Sequence, residues 1–165
     1  MRGWLRTHQG IAGIPSRNRY GALSFETSGS ASTPVAITEL FRNGEIWAVS
    51  QEFAGELPIG IVVAMDHLRA RLGEALQRFV EIAGKELKIP LPYEIEMGAV
   101  GLAGAVLSLP ANLKRWQNDL SEPIYERGIK FRRSIHNASV GVQRCLVAEF
   151  IKQLYDLANV TALSR

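Results

Sequence analysis

The chain has 165 residues, 47% hydrophobic and 21% charged, with a formal net charge of +3; that is enough chain for one domain with a real core. A mildly basic balance permits contact with nucleic acid or another acidic surface without demanding it. Cys145 is the only cysteine, which excludes an intramolecular disulfide and a cysteine-cluster zinc site, and no apolar run reaches the length of a membrane span.

Residues 1–19 carry Arg2, Arg6, Arg17 and Arg19 and no acid, and Gly3, Gly10, Gly13 and Pro15 interrupt any period. They read as a basic arm or extension preceding a single domain over 20–165. Met1 to Gln9 lacks the apolar stretch of a signal peptide, so a reducing, cytoplasmic setting is expected. Leu23 and Phe25 alternate with Ser24 and Glu26 in a first strand, and the small residues 28–34 form a flexible connection. Val35 to Ser50 reads as a hairpin turning at Arg42-Asn43-Gly44, with Asn-Gly favoured because both residues tolerate positive φ. Trp47 on its return strand is expected in the core, and the strand itself partly covered on both sides.

Gly55 and Pro58 mark 51–59 as a linker, and 59–64 as a short buried strand or the lead-in to a helix. Asp66 is placed to cap a helix whose stripe is Leu68, Leu72, Leu76, Phe79 and Ile82, with Gly84 as its stop. Tyr93 to Leu109 is one strand, or two joined at a glycine bend. Gly98, Gly101 and Gly104 lack the Gly-x-Gly pair and the lysine of a phosphate loop, so bulges or close backbone approach account for them better. Glu94 and Glu96 share one strand face. Acid–base work would need a cleft and separated pKa values as well, and two solvent-facing glutamates explain the pattern without either. His67 has no His, Cys or acidic partner at metal-ligand spacing, and His136, next to Asn137, could act as a general base although a turn histidine needs no such role.

The richest stretch is Ile129 to Leu157. Ile129, Phe131, Arg133 and Ile135 alternate with Lys130, Arg132 and Ser134; Leu146, Phe150, Leu154 and Leu157 then follow a helical period. Asn137 or Ser139 is the expected cap, Cys145 is expected buried and inert, and Arg133, falling with the apolar set, should lie at an edge or pair with an acid. The fold class is therefore α+β: an antiparallel or mixed sheet of about five strands with two long amphipathic helices, in the order β-β-β-α-β-β-α. Covering the second sheet face would call for dimerisation.

Thr38 to Val49, the glycine-bearing strand from Gly98 to Leu109, and Phe131-Arg132-Arg133-Ser134-Ile135 resemble the region that follows an AlbA/Schlafen-type putative ATP-binding domain in uncharacterised bacterial proteins. The resemblance implies an accessory domain concerned with recognition or assembly rather than hydrolysis, and it supplies no catalytic residue. The residues themselves point to a non-catalytic interaction, sensory or assembly module without cofactor or metal, whose partner is another protein or a second copy. The alternative is a nucleic-acid-associated domain using Arg2, Arg6, Arg17, Arg19, Lys114, Arg115, Lys130 and Arg132, and a third reading is a small enzyme with an unrecognised site.

Overall fold

The computed structural model describes residues 16–17, 19–27, 34–109 and 120–160. Of the basic positions named above, Arg2, Arg6, Lys114 and Arg115 lie outside these residues. The fold is α+β, with the chain divided into two compact units. The first comprises the described residues of Met1–Glu52 together with Arg78–Ile89; the second comprises Phe53–Gln77 and the described residues from Pro90 onward.

The first unit holds strands β1 (Ser16–Arg17), β2 (Gly21–Thr27), β3 (Pro34–Phe41) and β4 (Ile46–Ser50) in one antiparallel sheet, in that order. The β3–β4 turn is a three-residue loop, Arg42-Asn43-Gly44. Phe41 N donates to Glu45 O at 2.9 Å and Gly44 N to Phe41 O at 3.0 Å. Only Gly44 takes positive φ (90°), while the Asn43 side chain accepts from Glu45 N at 3.1 Å. The turn therefore falls on the three residues expected, but the asparagine contributes its side chain rather than a left-handed backbone.

The second unit holds two small sheets. β5 (Ala54–Leu57) and β6 (Gly60–Val63) form a hairpin, and β6 pairs in parallel with β8 (Val106–Leu107). β5 occupies residues expected to be linker. Pro58 stands in its turn, where it interrupts no ladder. β7 (Tyr93–Val100) pairs over its whole length with β9 (Gly128–Ile135). Gly98 lies opposite Lys130, and a Cβ there would come within 2.9 Å of Ile129 O, so close backbone approach is the reason for a glycine. The strands are therefore more numerous than expected and divided among three sheets. Alternation shows which residues form strands but carries no information about their partners.

Helix α1 (Met65–Glu81) runs on into a π-helical turn (Ile82–Glu86), closed by Leu87 N donating to Ile82 O at 2.9 Å. Gly84 lies inside this turn rather than stopping the helix. At the other end Met65 N donates to Ser108 Oγ at 3.0 Å. A hydroxyl from beyond β8 thereby satisfies a helix-start donor, and Asp66 lies in the first turn instead of capping it. Helix α2 (Val140–Leu157) is capped by Ser139, as the sequence allows, with Asn137 Oδ1 accepting from Ser139 N at 2.8 Å.

The α2 stripe buries Leu146, Val147, Phe150, Ile151, Leu154 and Tyr155. The Phe150 ring meets that of Phe131 on β9 at 6.2 Å between centroids, tilted by 60°. Arg133 lies over the Phe131 ring at 4.6 Å and pairs with Glu149 on α2 at 3.4 Å, the acid partner its position in the strand called for. Cys145 is exposed. It lies between the 143 and 146–147 positions of the buried stripe, and a side chain there points away from the face those residues share.

Candidate interaction surface

The sheet of the first unit is dressed the wrong way round for a free antiparallel sheet. Register aligns Phe25, Ile37 and Val49 in one row across β2, β3 and β4, and Leu23, Glu39 and Trp47 in the next, all on one face. That outer face is open: Trp47 is 62% exposed, Val49 67%, Phe25 46% and Ile37 40%. The opposite face buries Ser24, Glu26, Ala36, Thr38 and Leu40. Antiparallel sheets ordinarily bury the apolar side and wet the polar one. Here small and hydroxylated residues are inside together with Glu26 and Leu40, and a tryptophan, a phenylalanine, an isoleucine and a valine face outward.

Trp47 is therefore not a core residue. Its ring meets Phe41 edge-on, with centroids 6.0 Å apart and an interplanar angle of 69°, which orients it on the outer face without covering it. β4 is open on both sides at Trp47, Ala48 and Val49, contrary to the expectation of a covered strand. The four outward side chains leave on the order of 400 Å² of apolar surface accessible, the size of the largest apolar patch on a typical monomer, which is often functional.

The β7–β9 ribbon carries the charged candidates. Lys130 pairs with Glu96 at 3.0 Å and Arg132 with Glu94 at 3.2 Å. Both pairs are diagonal across the ladder, since Glu94 faces Ser134 and Glu96 faces Arg132. A hydrogen bond from Ser134 and then one from Arg132 hold the Glu94 carboxyl below the usual carboxylate range. Two acids thus balance two bases on this exposed face, and the ribbon offers no net positive stripe at Lys130 and Arg132. Arg17 falls in β1, and Arg19 is exposed with its guanidinium over the neighbouring Tyr20 ring at 4.5 Å.

No family model, curated protein or solved structure matches this chain.

The second unit also has an open cleft of about 390 Å³ between α1 and α2, whose lining includes Asp66, Arg69, Gln77, Gln143 and Arg144. None of Glu94, Glu96, His67 or His136 lines it. The His67 ring instead lies against Phe53 at 5.7 Å. Among the described residues no three His, Cys, Asp or Glu side chains gather as a metal would require, and no helix is long and apolar enough to cross a membrane.

The outer face was present in the alternation Leu23-Phe25 and Val35-Ile37, but alternation is symmetric: it says that one side is apolar, not that this side is the wet one. The available signal was the other half of the pattern. Ser24, Ala36 and Thr38 are small enough to be packed against closely.

Proposed function

We propose that this chain is a non-catalytic interaction module that engages a protein partner through the outer face of β2, β3 and β4. One observation carries the reading: Phe25, Ile37, Val49 and Trp47 lie side by side and open to solvent, while the opposite face of the same sheet is buried. Association through such a face draws on apolar burial and tolerates moderate salt. An accessory role in recognition or assembly is also what the resemblance to the AlbA/Schlafen-associated region implies.

The test is a pair of measurements on the wild type and on Phe25→Ser combined with Ile37→Ser. Binding of an apolar fluorescent dye should be clear in the wild type and largely lost in the variant, with circular dichroism unchanged. Equal dye binding in both proteins would count against the face. Nucleic-acid binding is the less supported alternative, because Lys130 and Arg132 are each matched by a glutamate.

A further inference from the structure

β4 ends the sheet on its side among the described residues, and it differs from the other open edges. β5 carries Glu56, β7 carries Glu94 and Glu96, and β9 carries Lys130, Arg132 and Arg133. Charges of this kind blunt an edge against pairing. β4 reads Ile-Trp-Ala-Val-Ser, with no charge and no proline, and its register with β3 is unbroken. It has every feature of a strand made to be paired and none of the devices that prevent pairing.

The ladder shows which backbone groups are offered. Phe41 N donates to Glu45 O, and Gln51 N donates to Val35 O. Residues 45, 47, 49 and 51 therefore turn their amides and carbonyls toward β3, so Ile46, Ala48 and Ser50 turn theirs outward. The outward set has a central member, Ala48, and that fixes a self-complementary register.

We infer that β4 pairs antiparallel with β4 of a second copy of this chain, about a two-fold axis at Ala48. In that register Ala48 faces Ala48 and Ile46 faces Ser50, and each facing pair exchanges two backbone hydrogen bonds. Trp47 of one copy stands opposite Val49 of the other. Glu45 meets Gln51 of the second copy, so no acid faces an acid. Self-pairing of β7 or β9 would set like charges close across the junction in at least some registers, whereas β4 has none to set. The row Phe25, Ile37, Val49 continues into Trp47 of the second copy, and the pairing doubles the outer face instead of covering it. The inference thus deepens the interaction reading and rests on it: two copies would present one wide apolar face to a further partner.

A five-residue edge buries less than the roughly 800 Å² per partner of a standard stable interface, so the dimer should be concentration dependent. The experiment is sedimentation equilibrium on the whole chain over a wide concentration range, with three variants checked by circular dichroism. Ala48→Pro removes only an outward amide and leaves the β3–β4 ladder intact; it should weaken dimerisation about tenfold or more. Ala48→Lys alone and Ala48→Glu alone each place like charges opposite one another and should be monomeric. Mixing those two should restore a dimer of one copy of each, whereas a structural defect would not be repaired by mixing. Monomeric wild type up to the highest soluble concentration overturns the pairing, and so does a dimer indifferent to all three substitutions. Neither result touches the dye binding that tests the outer face, because in-plane pairing leaves that face open. Equal dye binding in the wild type and the outer-face variant, with the dimer intact, would overturn the face and keep the pairing.

Discussion

Thr38→Val should make the protein more stable. Thr38 is 1% exposed and stands directly opposite Ser24, which is 0% exposed, and neither hydroxyl has a hydrogen-bond partner among the described residues. A buried polar group left unsatisfied costs about 1 to 3 kcal/mol of desolvation, and the methyl that replaces it adds apolar burial of the order of 0.8 kcal/mol. Valine has nearly the shape of threonine and suits a strand at least as well, so the backbone need not adjust. The expected gain is about 2 kcal/mol, or roughly 4 to 8 °C in Tm for a chain of this size. Thermal and urea unfolding of Thr38→Val, Ser24→Ala and the double variant form a double-mutant cycle. A loss of about 1 kcal/mol or more in Thr38→Val would refute the reasoning. If the double variant then lost much less than the sum of the singles, the two hydroxyls would be bonding each other across the strands.

Phe150→Ala, at a position 1% exposed against Phe131, should cost about 3 to 5 kcal/mol in urea unfolding. Ser139→Ala removes the α2 cap and should cost about 1 kcal/mol by the same assay, near the low end because its bond from Val142 N is 3.5 Å long. Carbon-detected NMR titration should find the Glu94 carboxyl below the usual range, and raised by both Ser134→Ala and Arg132→Gln. Because its folded pKa is depressed, any stability Glu94 contributes is present above the ordinary carboxylate pKa and is lost as pH falls through the lowered one. Charge reversal at Lys130 and Arg132 should leave the anisotropy of a labelled oligonucleotide unchanged at low salt; a clear drop would restore the ribbon as a nucleic-acid surface.

How much of this was legible depends on what each signal encodes. The passage from β9 to α2 could be read almost residue by residue, because the change from period two to a helical period and the Ser139 cap are local events. Arg133 could be read too: a cation on an apolar strand face must find an acid, and it finds Glu149. What could not be read was long-range. The group at the start of α1 is Ser108, 43 residues away along the chain, so Asp66 was the natural but mistaken candidate. Tryptophan composition favours burial, but whether Trp47 is covered depends on what lies over the outer face, which no local pattern records. The basic residues of β9 read as a stripe in sequence only because the glutamates that balance them sit on β7. Cys145 was misplaced by one helical position, and on a helix that is a turn of about 100°.

The division of the chain into units has a consequence for its synthesis. The first unit takes its last residue from Ile89, whereas the second draws on α2, which ends at Leu157. A ribosome therefore delivers all of β4, and every residue of that unit, while Pro90 and the residues after it are still being added. At 5–20 residues per second that interval is on the order of ten seconds. Throughout it the uncharged β4 segment is within reach of a neighbouring nascent chain on the same message. If β4 is where two copies meet, the polysome is the place where the meeting is easiest.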